Sequence, residues 1–114
     1  MTERPNILVL CGRNKKRSRT AEYIFKNDDR FSIRSAGLST KSGRLVTEND
    51  LNWADLVFVM ETGHRSKLSD HFRHLELPPI DVLNIEDEYE FMDEELIDIL
   101  RDRMNSTLKY VYKL

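Results

Sequence analysis

The sequence predicts a single α/β domain with a mostly parallel, four-stranded sheet. Two short, almost continuous apolar runs, residues 6–10 and 56–60, are typical of strands that are buried on both faces of such a sheet. Segments with helical spacing separate these runs from two weaker strand candidates, and this alternation favours parallel strands joined by right-handed helical crossovers. A chain of 114 residues is long enough for one such core. We therefore expect one domain over residues 1–114, with ligands at the carboxyl ends of the strands.

The first half of the chain is predicted to run strand, helix, strand and short helix. After the first strand, helical spacing begins at Ser18, which is placed to cap the helix. Residues 31–35 alternate apolar and polar side chains as a half-exposed edge strand does, and Ala36-Gly37 is predicted to turn the chain. Thr47 is placed to cap a short helical segment that precedes the third strand.

The second half of the chain adds two further strands. Residues 56–60 form the third strand, and a helix is predicted to follow from Thr62, with Leu68 and Phe72 facing the sheet. Two consecutive prolines then exclude a helix, and residues 80–85 are predicted to form the fourth strand.

The clearest helix of the sequence is the last one. Asp93 is a good N-cap, and the two glutamates that follow it favour the positive end of the helix dipole. The apolar positions recur at helical spacing and are predicted to form one face that covers the sheet. These positions are Leu96, Ile97, Leu100, Met104, Leu108 and Val111.

Charge is distributed unevenly along the chain. The formal net charge of -2 gives no support for nucleic-acid binding over the whole surface. Residues 13–19 nevertheless carry five basic side chains, whereas residues 86–95 carry seven acidic ones. The loop after the first strand is therefore predicted to be basic, and the segment before the last helix is predicted to be acidic.

The sequence contains no signal for insertion into a membrane. No apolar run approaches the roughly 20 residues that a membrane-spanning helix needs, and polar residues follow Met1 directly. We therefore expect a soluble, cytoplasmic protein without a membrane partner.

The segment Leu10-Cys11-Gly12-Arg13-Asn14-Lys15-Lys16-Arg17-Ser18 joins the first strand to the first helix and holds the single cysteine. One cysteine excludes an internal disulfide and a multi-cysteine metal site, which leaves an inert core thiol, an accidental surface thiol or a reactive thiol. Gly12 allows a tight turn, and a loop that runs into a helix start directs its backbone N–H groups at one point. Because the Arg17 guanidinium suits two phosphate oxygens, the loop is predicted to bind a phosphate and to stabilise a Cys11 thiolate.

The Cys-x5-Arg-Ser pattern after an N-terminal strand resembles the low-molecular-weight protein tyrosine phosphatases. The resemblance spans residues 6 to about 91 and also rests on Asn14, Ser35-Ala36-Gly37, Thr47-x-x-Asp50-Leu51, Ala54-Asp55-Leu56, Val59-Met60 and His64. It implies an α/β domain with a four-stranded parallel sheet in the order 2-1-3-4, helices on both faces and the phosphate loop between strand 1 and helix 1. It also implies a phosphatase reaction that uses no metal and no cofactor.

The resemblance implies a role for each residue of the loop. Cys11 is the implied nucleophile and forms a phosphocysteine, while the Arg17 side chain and the loop backbone hold the phosphate. Ser18 is implied to donate a hydrogen bond to the thiolate, and Asn14 to hold the shape of the loop. The implied phosphate-binding residues are Gly12, Arg13, Asn14, Lys15, Lys16, Arg17 and Ser18.

The family supplies its general acid from an Asp-Pro-Tyr segment after the fourth strand, and Asp87-Glu88-Tyr89 occupies that place here. The resemblance therefore implies that Asp87 is the catalytic acid and that Tyr89 forms an aromatic wall for the substrate. Because Glu88 replaces the proline, the choice of the acid among Glu86, Asp87 and Glu88 stays open.

Lys15 and Lys16 depart from the smaller or apolar loop residues of the family, and the second cysteine that is common there is absent. Lysines at the rim favour a strongly anionic phosphomonoester, such as an acidic phosphopeptide, a polyphosphorylated small molecule or, less favoured, a nucleic-acid phosphate. Simple exposure of both lysines to solvent is the alternative.

The function that the sequence favours is hydrolysis of phosphotyrosine-like phosphomonoesters through Cys11. A phosphate-binding or RNA-phosphate-binding module with weak or no catalysis is the first alternative. A thiol-coupled arsenate reductase is the second, and the single cysteine disfavours it unless an external thiol completes the cycle. The three histidines do not favour a metal site, because they lack nearby acidic or cysteine ligands at binding spacing.

Overall fold

The protein is described here by a computed structural model that covers residues 4–13 and 16–114. Within these ranges four strands alternate with four helices. The strands are β1 (Asn6–Cys11), β2 (Ser32–Gly37), β3 (Leu56–Val59) and β4 (Ile80–Val82). The helices are α1 (Arg17–Phe25), α2 (Glu48–Trp53), α3 (Thr62–His71) and α4 (Glu94–Tyr112).

The four strands form one parallel sheet in the order β2-β1-β3-β4. Cys11 at the end of β1 pairs with Gly37 at the end of β2, and Leu10 pairs with Val59 at the end of β3. The carboxyl ends of the strands therefore meet at one edge of the sheet. The predicted fold class and strand order are confirmed.

Side chains alternate between the two faces of the sheet, and each face is covered by two helices. On one face, alternate residues of β1 and β3 pack against α1 and α4 through Ile7, Val9, Cys11, Phe58, Ala21, Phe25, Leu96, Leu100, Met104 and Leu108. On the other face, the intervening residues pack against α2 and α3 through Leu8, Leu10, Val57, Val59, Leu51 and Leu68. This double coverage explains why the two central strands read as continuous apolar runs.

Two strand boundaries differ from the sequence prediction. Ala36-Gly37, predicted to turn the chain, forms the end of β2 and pairs with the end of β1. The fourth strand ends at Val82 instead of residue 85, because Asn84 has a left-handed backbone with φ 57 that interrupts the ladder. The chain still follows β3 beyond this point, since Ile85 N–H donates to the Met60 carbonyl at 2.9 Å.

The start of α1 also differs from the prediction. Ser18 was expected to cap the helix, but the helix begins at Arg17 and Lys16 occupies the N-cap without a side-chain cap hydrogen bond. Ser18 lies in the first turn with its side chain buried. Its hydroxyl contacts the thiol of Cys11 instead of capping the helix.

The predicted caps of α2 and α4 are confirmed. Thr47 Oγ1 accepts from the Asp50 N–H at 3.2 Å, and Asp50 Oδ2 accepts from the Thr47 N–H at 3.0 Å, which forms a capping box. Asp93 Oδ1 accepts from the N–H groups of Glu95 and Leu96 at 2.9 and 3.3 Å. Both caps satisfy backbone donors that would otherwise lack a partner in the first turn.

The buried face of α4 is narrower than predicted. Leu96, Leu100, Met104 and Leu108 are fully buried, whereas Val111 is 50% exposed. A stripe that repeats every four residues continues from Leu108 to position 112, and Tyr112 packs against the core there. The assignment of Val111 to the buried face is wrong for this reason.

Among residues 4–13 and 16–114, no helix combines the length and the apolar character that crossing a bilayer requires.

A substitution at Gly37 tests how closely the end of β2 packs against Ser42 and Arg13. A Cβ at this position would contact Ser42 Oγ, would lie 2.7 Å from Ser42 Cβ and would lie 3.0 Å from the Arg13 carbonyl carbon. We predict that Gly37→Ala lowers the free energy of unfolding by about 1–3 kcal/mol, as overpacking does, in urea denaturation. Adding Ser42→Gly should recover part of the loss.

Gly43→Ala is the matched control for this prediction, because a Cβ there has no heavy atom within 4 Å among the described residues. Its free energy of unfolding should stay close to that of the wild type. If Gly37→Ala were as stable as Gly43→Ala, the described packing of Gly37 against Ser42 would be incorrect.

Candidate active site

Cys11 lies at the carboxyl edge of the sheet, where β1 passes into the loop before α1. Its side chain is buried, and Cys11 Sγ lies 3.0 Å from Ser18 Oγ. Backbone hydrogen bonds anchor the start of the loop to the segment after β2. Leu38 N–H donates to the carbonyls of Cys11 and Gly12, and Ser39 N–H donates to the Gly12 carbonyl at 2.7 Å.

Gly12 lies in the turn after β1 without a positive φ. None of the four glycines, all of them in the described part of the chain, has a positive φ, so the turn does not require glycine. Gly12 instead lines the cavity above Cys11, and a Cβ there would lie 3.9 Å from His64 Nε2. Glycine therefore keeps this part of the cavity open.

Arg17 is the first residue of α1, and its guanidinium is almost completely buried. The side chain is 5% exposed. Its NH1 group donates to Glu61 Oε2 and to the Ile85 carbonyl, each at 2.7 Å. Its Nε lies 3.7 Å from Asp87 Oδ1. Arg17 therefore links the loop after β1 to the chain segments that follow β3 and β4.

Glu61 is a site residue that the sequence interpretation missed. It follows directly after Met60, at the end of β3, and the hydrogen bond from Arg17 holds the pKa of its carboxyl below the usual value of 4.5 against the opposing effect of burial. An isolated acidic residue after a strand carries no spacing pattern of its own. The one available signal was its position directly after a strand, because ligands bind at the carboxyl ends of the strands in open α/β sheets.

His64 lies beside Glu61 at the start of α3. Its Nε2 is 3.8 Å from Glu61 Oε2, and its Nδ1 is buried without a hydrogen-bond partner among the described residues. Burial is the main cause that holds the pKa of the imidazole below its usual value of 6.5, against the opposing effect of the Glu61 carboxylate, and the Arg17 and Lys67 cations lower it further. The direction of this shift favours the neutral imidazole.

Among the three candidate acids, the structure places only Asp87 in the cavity with Cys11. Glu86 and Glu88 line a different cavity, together with Asn84, Ile85, Tyr89, Ile99 and Arg103. Asp87 is well exposed and faces the guanidinium of Arg17. Of the carboxylates in this segment, Asp87 is the one in position to reach a group bound above Cys11.

Tyr89 is not where the sequence interpretation expected it. Its ring packs against the core on the α4 side and lines the second cavity, not the one above Cys11. Burial and the nearby carboxylates of Glu95 and Glu88 raise the pKa of its hydroxyl to about 12. The predicted aromatic wall is therefore corrected: Tyr89 does not line the Cys11 cavity.

The predicted phosphate-binding residues are only partly described. Arg13, Lys16 and Arg17 line the cavity with Gly12, and Ser18 contacts Cys11. Lys16 also forms an ion pair with Glu90, with Nζ 3.1 Å from Oε2. The remaining two predicted loop residues, Asn14 and Lys15, lie outside the described residues.

These groups surround a cavity of about 520 Å³ at the carboxyl edge of the sheet. Its described lining consists of Cys11, Gly12, Arg13, Lys16, Arg17, Ser39, Glu61, His64 and Asp87. The lining combines a thiol, three cations and two carboxylates, and contains no aromatic ring except the imidazole. The three cations suit the phosphate group of a substrate.

Ser39 enters the cavity from the segment after β2, which a buried carboxylate holds in place. Asp50 Oδ1 accepts from Arg44 NH2 at 2.5 Å, while Arg44 NH1 donates to the Ser35 carbonyl at 2.7 Å. Burial opposes ionisation of Asp50, yet the hydrogen bonds from Arg44 and Thr47 outweigh it and lower its pKa. Asp50, which closes the capping box with Thr47, thus also holds Arg44 against the end of β2.

No group of three or more histidine, cysteine, aspartate or glutamate side chains is arranged to hold a metal ion in the described part of the chain. His74 Nε2 lies 3.3 Å from Glu48 Oε2, and neither residue belongs to the described lining of the Cys11 cavity.

Comparison with solved structures yields neighbours over almost the whole chain. SP-PTP, a low-molecular-weight protein tyrosine phosphatase from Streptococcus pyogenes, matches with a TM-score of 0.73 at 19% identity, covering 94% of this chain and 93% of its own. The tyrosine phosphatase Wzb from Escherichia coli K30 matches with a TM-score of 0.71 at 20% identity, and the match covers 96% of this chain and 99% of Wzb. The chain has the fold of the low-molecular-weight protein tyrosine phosphatases.

A third neighbour with this fold is the YwlE arginine phosphatase from Geobacillus stearothermophilus, with a TM-score of 0.69 at 17% identity, covering 93% of this chain and 94% of its own. No family model and no curated protein matches the sequence. The resemblance stated from the sequence is thus confirmed in three dimensions, at the level of the fold.

The contact between Cys11 and Ser18 predicts how the thiol reacts. We expect Ser18→Ala to slow alkylation by iodoacetamide near neutral pH about two- to tenfold, the equivalent of one hydrogen bond to the reacting sulfur. Because the chain has one cysteine, mass spectrometry follows this reaction without interference. Ser106→Ala, in α4, is the matched control and should react as the wild type does. Equal rates in wild type and Ser18→Ala would contradict the proposed stabilisation of the thiolate.

Proposed function

We propose that the protein is a metal-independent phosphomonoester hydrolase of the protein tyrosine phosphatase type, acting through a phosphocysteine on Cys11. The observation that carries the proposal is the arrangement of one cavity: Cys11 beside Ser18, the buried guanidinium of Arg17, and Asp87 facing that guanidinium. The shared fold with tyrosine and arginine phosphatases supports the same reaction class.

In the first step the Cys11 thiolate attacks phosphorus, an S–P bond forms and the P–O bond to the leaving group breaks. Arg17 and the backbone N–H groups at the start of α1 bind the phosphate oxygens and stabilise their charge in the transition state. Asp87 gives its proton to the leaving oxygen, so that an alcohol or a phenol departs instead of an anion.

In the second step water attacks the phosphocysteine and the S–P bond breaks. Asp87, now a carboxylate, takes a proton from the water. The Ser18 hydroxyl donates a hydrogen bond to the departing sulfur, which returns as a thiolate. The products are inorganic phosphate and the enzyme in its starting state.

The substrate is proposed to be a phosphorylated protein carrying phosphotyrosine or a related phosphomonoester. The neighbours include two tyrosine phosphatases, which supports this class. The ion pair of Lys16 with Glu90 weakens the case for a polyanionic substrate, because it leaves less positive charge at the rim than the sequence alone indicates. A reactive single cysteine suits a reducing compartment, so we propose that the protein acts in the cytoplasm.

The test compares phosphotyrosine, which has a poor leaving group, with dinitrophenyl phosphate, which has a good one. The wild type should hydrolyse both, with inhibition by vanadate and without an effect of chelators, and Cys11→Ser should be inactive on both. Asp87→Asn should lower kcat/KM for phosphotyrosine about 100-fold or more and should affect dinitrophenyl phosphate far less. This difference arises because only the poor leaving group needs a proton.

Glu88→Gln is the matched control, since Glu88 is adjacent to Asp87 in sequence but lines the second cavity. It should hydrolyse both substrates as the wild type does. Equal losses on the two substrates in Asp87→Asn would contradict the acid assignment, and activity in Cys11→Ser would contradict the proposed nucleophile.

A further inference from the structure

We propose that Lys16 is a positioning residue, which holds residues 87–92 against the start of α1 and thereby fixes Asp87 over the cavity. We call residues 87–92 the acid segment. The inference rests on the proposed function, and it assigns Lys16 a partner within the chain instead of a contact with substrate.

The acid segment is attached to residues 16–20, at the start of α1, at two points. The first is the ion pair, in which Lys16 Nζ lies 3.1 Å from Glu90 Oε2. The second runs through Thr20, whose hydroxyl accepts from the Met92 N–H at 3.0 Å and donates to the Lys16 carbonyl at 2.6 Å. The Lys16 side chain therefore binds the segment directly, and its backbone carbonyl orients the Thr20 hydroxyl that binds Met92.

The residue between these two points also rests on α1. The Phe91 ring makes an edge-to-face contact with Tyr23, with centroids 6.0 Å apart, and the Arg19 guanidinium lies 5.6 Å from its centre. Met92 has a left-handed backbone conformation with φ 65, which residues other than glycine rarely adopt. A segment held in such a conformation depends on the contacts that fix it.

These contacts determine where Asp87 lies. Only two residues separate Asp87 from Glu90, and no proline stiffens the chain beyond position 79. The other attachment of Asp87 is to Arg17, at 3.7 Å, and Arg17 follows Lys16 directly at the start of α1. The phosphate loop and the acid segment are thus held on the same helix end, which places the general acid relative to the phosphate.

The strength of the ion pair sets the size of the expected effect. The Lys16 and Glu90 side chains are 42% and 81% exposed, so solvent and salt screen their attraction. Exposed pairs of this kind change an equilibrium by about two- to fivefold. We therefore expect that removing either charge lowers the fraction of molecules with Asp87 over the cavity by a similar, modest factor.

The experiment measures kcat/KM of Lys16→Met, Glu90→Gln and the double variant on phosphotyrosine and on dinitrophenyl phosphate. Each single variant should lower kcat/KM for phosphotyrosine about two- to fivefold, and the double variant should be no worse than either. For dinitrophenyl phosphate, which has the good leaving group, Glu90→Gln should leave kcat/KM almost unchanged. In an Asp87→Asn background, Glu90→Gln should have no further effect, because its effect passes through Asp87.

Hydrogen exchange of the Met92 amide provides a readout that does not depend on activity. Both Lys16→Met and Glu90→Gln should accelerate it, whereas Glu94→Gln, which removes a charge just beyond the acid segment, should not. Exchange unchanged in both variants would overturn the proposal, even if the protein proved inactive and the proposed function failed.

The kinetic results also separate this role from substrate binding. If Lys16→Met raised KM for both substrates while Glu90→Gln left kcat/KM unchanged, Lys16 would be a substrate contact and the proposal would be wrong. An equal loss on both substrates in Glu90→Gln would overturn it as well, because such a loss does not pass through the acid.

Discussion

Arg17 carries a cation that is almost completely removed from water, and the arrangement of the site depends on how that cation is compensated. A buried charge is strongly unfavourable unless it is paired and hydrogen-bonded. NH1 meets this requirement with the Glu61 carboxylate and the Ile85 carbonyl, and Nε faces Asp87. Because Glu61 follows β3 whereas Ile85 and Asp87 both follow β4, one guanidinium links the ends of these two strands. Arg17 is also the first residue of α1, so the same interaction fixes the helix end that follows the loop of Cys11.

This arrangement links the proposed substrate binding to the proposed general acid, Asp87. A phosphate above Cys11 would approach the Arg17 guanidinium, whose Nε faces Asp87 and whose NH1 group donates to Glu61 and to the Ile85 carbonyl. Arg17 lowers the pKa of Glu61, which keeps that carboxylate ionised as a permanent partner. Asp87 is the more exposed and more distant of the two carboxylates, at 3.7 Å. It is therefore the one that is free to exchange the guanidinium for a leaving group.

Local patterns in the sequence predicted the fold and much of the site, and the misses have physical causes. The apolar runs and the spacing from Cys11 to Arg17 are short-range features, so they predicted the central strands and the loop. Glu61 was missed because its role arises from a contact with a residue 44 positions away. Tyr89 was misplaced because its ring packs against the core on the α4 side, a tertiary contact that its position beside Asp87 in the sequence does not indicate. Whether Lys16 faces solvent, substrate or the acid segment depends on tertiary structure, which its charge alone does not indicate.

The most direct test of this account is to trap the covalent intermediate. Wild-type protein mixed with phosphotyrosine is quenched within one turnover, digested and analysed by mass spectrometry. The account predicts a phosphate on the peptide that contains Cys11, attached to the sulfur, which forms and decays at the rate of product release. It also predicts greater accumulation in Ser18→Ala, because the departing thiolate has lost a donor. Turnover without phosphate on Cys11, or with phosphate on another side chain such as His64, would contradict the central claim.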